Sequence, residues 1–288
     1  MPELPEVEII KRGLEQKVIG RTIADIEVRA KKLFQGEVSL VYGSKVVSLE
    51  RKAKMIIINL DNNYSLLLHL KMTGQLIFDE RPCDLKTRVA GGHPSKDLRA
   101  CLPNQFTHVI FRFKGGGILF FNDMRKFGYI KLYKTVEIPD LKVIADLGPD
   151  PFDKALTPEY LMSKIVRRPK IKIKQLIMDQ TVIAGVGNIY ADESLFCARI
   201  SPLRIAKDVK RTELVKWIDC VREVLNFSLT HGGSSENTYV NVECKKGEMQ
   251  NFFKVYRQTG APCPVCGSKI IRTVVGGRGT HYCNACQS

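Results

Sequence analysis

Along the first eighteen residues the apolar positions Val7, Ile10, Leu14 and Val18 recur every three to four residues, and Gly20 follows them. That spacing predicts a helix over 3–18 with one buried stripe, stopped at the glycine. From about residue 22 to 134 the period shortens. Segments 22–29, 45–49, 55–60, 65–70, 108–113, 117–121 and 129–133 are short and rich in β-branched and aromatic residues. Turn-forming stretches such as Asp61-Asn62-Asn63 and Gly115-Gly116-Gly117 lie between them. So many short strands predict an antiparallel β-sandwich or a barrel. Residues 80–106 hold few apolar side chains and carry Pro82, Gly91, Gly92 and Pro94, which reads as a long surface loop.

The texture changes beyond residue 134. Leu147-Gly148-Pro149-Asp150-Pro151 continues neither strand nor helix, so 135–156 reads as a linker. Helical periodicity returns near 157–166, 170–178, 188–196 and 207–230, with Thr157 as an N-cap and Pro158 in the first turn. Residues 231–260 are polar and glycine-bearing and read as a loop. The predicted class is therefore α+β and multidomain: a sandwich domain over 1–134, the linker, a helical domain over 157–260, and a small cysteine module over 261–288.

Charge narrows the partner. Lys and Arg number 45 against 30 for Asp and Glu, a net +15 in 288 residues. Such an excess favours a polyanion, with nucleic acid ahead of an anionic membrane surface. No apolar run reaches the roughly 18 residues that a spanning helix needs. The acidic, proline-containing start, Met1-Pro2-Glu3-Leu4-Pro5-Glu6, is unlike a signal peptide, so a cytosolic protein is expected. A reducing cytosol disfavours disulfides. Cys197 and Cys220, in apolar helical patterns, are accordingly expected as unpaired, buried small hydrophobes, and Cys83, Cys101 and Cys244 are scattered.

The remaining four cysteines form a pattern. Cys263-Pro264-Val265-Cys266 is followed, after sixteen intervening residues, by Cys283-Asn284-Ala285-Cys286. Two such turns face each other as a tetrahedral thiolate site suited to zinc, with all four positions taken by protein. The metal is therefore expected to be structural, supplying on the order of 10 kcal/mol of folding energy to a module too small to hold itself. Arg278 lies between the pairs in a Gly276-to-Gly279 turn, where it can project toward a phosphate.

The N-terminus offers chemistry as well. Removal of Met1 would expose Pro2 as a secondary amine, able to attack an anomeric carbon and form an iminium. An α-amino group has a low ordinary pKa of about 8, and a helix start lowers it further. Glu3 and Glu6 place carboxyl groups nearby for proton transfer. Pro and Glu in a first helical turn are also ordinary helix chemistry, so this motif alone decides nothing.

Taken together, three motifs carry a resemblance. Pro2-Glu3-Leu4-Pro5-Glu6-Val7-Glu8 resembles the N-terminal signature of the formamidopyrimidine-DNA glycosylase (Fpg) family. Gly185-Val186-Gly187-Asn188-Ile189-Tyr190-Ala191-Asp192-Glu193 resembles its helix–two-turns–helix element, and the chain ends in the family's kind of zinc finger. The resemblance runs along essentially the whole chain. It implies a β-sandwich bearing a catalytic N-terminal helix, then a helical DNA-binding domain with a four-cysteine zinc finger. It also implies excision of oxidised purines such as 8-oxoguanine from damaged double-stranded DNA, followed by β,δ-elimination at the abasic site. One zinc is the only cofactor expected, and the chain is expected to act as a monomer.

Position by position, the resemblance makes Pro2 the nucleophile and Glu3 the acid/base residue. Lys54 matches a strand lysine that reaches lesion and phosphate, and Lys174 matches a lysine of the helical domain that serves phosphates and lesion. Asn188 and Arg278 match phosphate ligands. Met72, Arg125 and Phe127 match three side chains that fill the gap left by the extruded nucleotide, where an apolar wedge and an arginine suit an unstacked step. Asn188 begins a predicted helix after two glycines, a phosphate-binding arrangement. Lys164, Arg167, Arg168, Lys170, Lys172 and Lys174 place six cations in eleven residues, read as a phosphate track.

There are departures too. Lys71 stands where Gly is usual, and Asp123-Met124-Arg125-Lys126 where Asp-Pro-Arg-Arg is usual. The 80–106 segment is longer than usual, and Ser234–Gln250 matches a lesion-recognition loop in place but only partly in sequence. Two alternatives stay open: an endonuclease VIII-type glycosylase for oxidised pyrimidines, which more often has Gly where Leu4 stands, and a non-catalytic zinc-ribbon DNA-binding protein.

Overall fold

Helix α1 spans Leu4–Val18, and its predicted stripe of Val7, Ile10, Leu14 and Val18 is buried. The computed structural model of the chain describes residues 1–80, 102–235 and 246–288, and residues 88–92 by their backbone alone. Two compact units are distinguished: Met1–Ala145 with His231–Gln250, and Asp146–Thr230 with Asn251–Ser288.

The first unit carries the strands. Sheet one has the order β1-β8-β9-β6-β7, formed by Ile23–Val28, Thr107–Phe113, Ile118–Asp123, Gly74–Asp79 and Arg88–Gly92. Sheet two has the order β2-β10-β5-β4-β3, formed by Phe34–Gln35, Tyr129–Lys134, Tyr64–His69, Met55–Leu60 and Val46–Lys52. All pairings are antiparallel except the two-residue β2, which runs parallel to β10. Alternate residues of both sheets meet in one apolar cluster, with Phe78, Val109, Phe111 and Phe121 from the first and Ile56, Ile58, Leu66 and Leu68 from the second. The α1 stripe joins the same cluster, so burial of one shared core fixes where the helix begins.

Two strands differ from expectation. β6 has only Leu76-Ile77-Phe78 between Gly74-Gln75 and Asp79, too short an apolar run to stand out. β7 lies inside the stretch read as a loop and pairs antiparallel with β6, from Gln75↔Gly92 to Asp79↔Arg88. Residues 81–87 and 93–101 of that stretch, including Cys83 and Cys101, lie outside the described residues.

The second unit is helical: α3 (Pro158–Arg167), α4 (Ile173–Met178), α5 (Asn188–Ala198) and α6 (Arg211–Thr230). The short α2 (Lys142–Ala145) belongs to the first unit. Thr157 caps α3 by accepting the Tyr160 N–H at 3.1 Å. The hairpin of β11 (Ile271–Val275) and β12 (Arg278–Tyr282) completes the unit. One expectation is corrected here. Cys197 on α5 and Cys220 on α6 are joined as a disulfide, with their Cα atoms 5.7 Å apart. The two helices pack side by side and bring the cysteines face to face, a proximity that an argument from cellular redox does not see. Among the described residues no helix is long and apolar enough to cross a membrane.

Candidate active site and nucleic-acid interface

In the first unit the polypeptide enters α1 through buried Pro2 and Glu3, with Glu3 as the N-cap. One carboxylate fixes that entry. Glu6 accepts the Glu3 N–H on Oε2 and the Ser234 N–H on Oε1, both at 2.9 Å. Ser234, grouped with the helical domain by sequence, thus packs with α1. Glu6 serves as a brace, and the buried Glu3 carboxyl group lies next to Pro2 in sequence. Residues 236–245 of the expected lesion loop lie outside the described residues.

Lys54 sits in the tight turn between β3 and β4 and is buried. Ala53 beside it takes a left-handed φ of 53°. Arg51 holds the turn, donating to the Ala53 carbonyl at 3.1 Å and to Glu8 of α1 at 2.9 Å. Burial works to raise the Glu8 pKa, but hydrogen bonds from Arg12 and Arg51 outweigh it and leave it below the usual carboxylate range. The turn and α1 are therefore pinned together by charge. His69, at the end of β5, accepts the Lys71 N–H on Nδ1 at 3.0 Å and lies 5.7 Å from the Tyr129 ring. Burial, with Lys71 and Lys54 nearby, pushes its pKa down to about 3, so the ring is neutral near pH 7. Sequence alone carries no sign of these neighbours.

Met72, Arg125 and Phe127 all stand in exposed turns, Met72 after β5 and the other two between β9 and β10. The Arg125 guanidinium lies 4.8 Å over the Phe127 ring. Gly74 closes the first turn because a Cβ there would come within 2.4 Å of the Leu70 carbonyl oxygen.

In the second unit the α4-to-α5 connection is stitched by Gln180. Its amide donates to the Met178 and Val186 carbonyls at 2.9 and 2.8 Å, and its oxygen accepts the Gly185 N–H at 2.9 Å. Gly185 has φ 90°, whereas Gly187 is extended and caps α5. Asn188 is the first residue of α5 and donates to the Gly279 carbonyl at 3.0 Å. It lines a cleft of about 420 Å³ with Arg257, Thr259, Arg272 and His281. Arg278 is exposed at the hairpin tip, after Gly276 and Gly277, whose φ values of 56° and 74° make the turn type that two-residue hairpins prefer.

Lys174 departs from expectation. It is 0% exposed and forms an ion pair of 2.6 Å with Asp192 of α5. Its Nζ also donates to the Thr280 hydroxyl at 2.8 Å and the Gly279 carbonyl at 3.2 Å. Asp192 further accepts the His281 N–H at 2.9 Å. Lys174 thus reaches no surface from which to contact a ligand, and instead locks the β11–β12 hairpin onto α4 and α5. Of the remaining basic run, Arg167, Arg168 and Lys170 are exposed, and Arg168 pairs with Asp179. Glu193, next to Asp192, is another anchor absent from the sequence reading. It accepts the N–H groups of Lys254, Val255 and Tyr256 at 2.7–3.0 Å, while burial holds its pKa above the usual range.

The thiol groups of Cys263, Cys266, Cys283 and Cys286 all lie within 4.8 Å of one another, and the Cys266 to Cys283 and Cys263 to Cys286 separations are 3.5 and 3.8 Å. Zinc–sulfur bonds of about 2.3 Å in a tetrahedron put sulfurs about 3.8 Å apart, so the donor set fits the ion.

Three family descriptions match the chain in order: Formamidopyrimidine-DNA glycosylase N-terminal domain over residues 1–130, Formamidopyrimidine-DNA glycosylase H2TH domain over 147–240, and a zinc finger found in FPG and IleRS over 260–288. The chain belongs to the formamidopyrimidine-DNA glycosylase family. The formamidopyrimidine-DNA glycosylase of Pelotomaculum thermopropionicum is 38% identical over 292 residues, covering 100% of this chain and 99% of the relative. That of Bacillus cereus is 36% identical over 295 residues with the same coverage. Among solved structures, a variant of the Lactococcus lactis enzyme in complex with Fapy-dG-containing DNA superposes with a TM-score of 0.87 at 30% identity, covering 100% of both chains. The wild-type enzyme in complex with N7-benzyl-Fapy-dG-containing DNA gives 0.86 at 29% identity, also over 100% of both. With the zinc-finger match and the fitting cysteine cluster, the last module holds one structural zinc.

Proposed function

We propose that this chain is a bifunctional DNA glycosylase and abasic-site lyase that removes oxidised purines from duplex DNA. The observation that carries the reading is the seat of Pro2 and Glu3, buried at the start of α1 and braced by Glu6, in a chain of this family. A helix start disfavours positive charge, which suits a neutral amine once Met1 is removed. Pro2 nitrogen attacks the anomeric carbon and the bond to the damaged base breaks. Glu3 protonates the sugar ring oxygen as the ring opens. The resulting iminium allows loss of the 3′ phosphate, then of the 5′ phosphate, leaving a one-nucleotide gap.

The other residues position DNA. Lys54 serves lesion and phosphate from its turn, Asn188 and Arg278 bind phosphates, and Met72, Arg125 and Phe127 fill the vacated stack. Lys174 acts one step removed, through the hairpin that carries Arg278. The zinc orders that hairpin and takes no part in the chemistry. The chain works as a cytosolic monomer.

Borohydride trapping tests this on a duplex with 8-oxoguanine opposite cytosine, with Pro2→Gly and a thymine-glycol duplex alongside. The expected result is an adduct on the oxidised purine, mapped to the N-terminus and absent in the variant. Trapping mainly on thymine glycol would move the substrate to oxidised pyrimidines. No adduct from a zinc-replete, Met1-free protein that still binds the duplex would sink the enzymatic reading.

A further inference from the structure

The turn with Met72 and the turn with Arg125 and Phe127 come from different strand pairs, yet one side chain ties them together. Asp123, the last residue of β9, is fully buried. Its Oδ1 accepts the Thr73 hydroxyl and, at 3.1 Å, the Arg125 N–H. Its Oδ2 accepts the Gly128 N–H at 2.6 Å. The Thr73 hydroxyl oxygen also accepts the Arg125 N–H at 3.1 Å. The carboxyl group therefore grips residues 124–127 at both ends and the neighbour of Met72 as well.

The backbone of Asp123 is held in turn. Its N–H donates to the Phe106 carbonyl at 2.9 Å, and its carbonyl lies 2.8 Å from His108 Nε2. Burial, with Lys126 nearby, keeps the His108 pKa below its ordinary value, which suits a neutral ring donating that hydrogen bond. Lys126, at the crest of the turn, takes a left-handed φ of 55°, a conformation that persists where its surroundings impose it. The wedge side chains have little packing of their own, since Met72 is 41% and Phe127 52% exposed.

We propose that Asp123 is a positioning residue that makes the Met72 and Arg125–Phe127 turns one rigid wedge, set in advance to fill the stack as the damaged nucleotide leaves. Hydrogen bonds onto a carboxylate are among the stronger ones, so a single acid can fix two loops while their tips stay free. The proposal rests on the function proposed above, because it takes those tips to act on duplex DNA.

Asp123→Asn turns one acceptor into an amide donor that opposes either the Gly128 or the Arg125 N–H. Thr73→Val removes the hydroxyl at constant shape, and Thr73→Ser keeps it. The readout is 2-aminopurine beside 8-oxoguanine in a duplex, whose fluorescence rises in stopped flow as the stack opens. Asp123→Asn is expected to slow that rise about tenfold, in line with one lost charge-assisted hydrogen bond. Thr73→Val should slow it less, and Thr73→Ser should match the wild type. Trapping on a single-stranded abasic oligonucleotide, which has no stack to fill, should keep its wild-type rate in all three. Adding Asp123→Asn to Phe127→Ala should cost little more than Phe127→Ala alone, because the side chain it orders is already gone.

If Thr73→Val opens the stack at the wild-type rate, or if these variants slow single-strand trapping as much as stack opening, Asp123 serves the fold alone and the proposal fails. Should Asp123→Asn not fold, the Thr73 pair decides. The fluorescence rise needs no bond cleavage, so its outcome stands apart from base excision on the same duplex, which tests the function itself.

Discussion

In the first unit the buried acids Glu6 and Asp123 accept backbone N–H groups, as Glu193 does in the second, where Lys174 and Asp192 also neutralise each other inside the fold. Both devices set the position of a turn, but they differ in what happens when one partner is lost. A carboxylate that braces backbone donors leaves behind unpaired but neutral N–H groups when it is changed. A buried ion pair leaves a stranded charge. The first arrangement suits turns whose tips must stay exposed, such as those of Met72 and Phe127. The second suits a hairpin that must not shift, since Asn188 and Lys174 both bond the Gly279 carbonyl one residue from Arg278.

The largest effect should therefore come from breaking the buried pair. Lys174→Met leaves Asp192 with its His281 bonds but without its cation, and is expected to cost about 3–5 kcal/mol of stability. Asp192→Leu alone should cost a similar amount. The double variant should lose less than the sum, because no charge is stranded. Urea unfolding of the zinc-loaded protein measures this, and a Lys174→Met variant as stable as the wild type would remove the distinction between the two units.

An effect that is smaller within a pH unit or so of neutrality, and grows only in acid, should come from His69 in the first unit. Its folded pKa of about 3 lies below the ordinary 6.5, so the unfolded chain binds the proton first. Above pH 6.5 neither state is charged there and nothing is lost. As pH falls from 6.5 toward 3, this residue should remove stability at up to about 1.4 kcal/mol per pH unit, and below 3 no more. Acid also protonates the zinc thiolates, so the informative quantity is the difference between wild type and His69→Gln at each pH. That difference should tilt across the window. A flat difference would mean that His69 is solvated and that the Lys54 turn is wetter than described.

The contrast between the units also explains what the sequence makes legible. The α1 stripe, most of the strands and the four-cysteine spacing follow from local period and composition, and each appears where those patterns put it. The exposed wedge residues and Arg278 stand in turns marked by glycine and polar neighbours. The burial of Lys174 is not legible in a run of cations, because its partner Asp192 lies eighteen residues on, in another helix. Asp123 stands in the Asp123-to-Lys126 motif, but its three donors come from two turns that only the sheet brings together. β7 was hidden by its glycines, and the Cys197–Cys220 bond by an argument about compartment that ignores which helices are neighbours. What escaped was in each case a pairing across sequence distance.

The smallest effect separates a lysine that holds the hairpin from an arginine that touches the ligand. Arg278→Ala removes an exposed cation from the hairpin tip and leaves the Lys174 to Asp192 pair in place. If Arg278 meets one phosphate, the slope of log affinity against log salt should become shallower by about 0.9. Lys174→Met, tested under conditions where it remains folded, should lower affinity by shifting the hairpin yet leave the slope closer to the wild type, because no buried cation releases a counterion. Fluorescence anisotropy of a labelled abasic-analogue duplex between 50 and 200 mM salt reads both. Equal slope changes in the two variants would mean that Lys174 meets phosphate after all, through a rearrangement that opens its pair with Asp192. An unchanged slope in Arg278→Ala would instead move the phosphate contact to the cleft lined by Arg257 and Arg272, whose alanine variants would then carry the missing salt dependence.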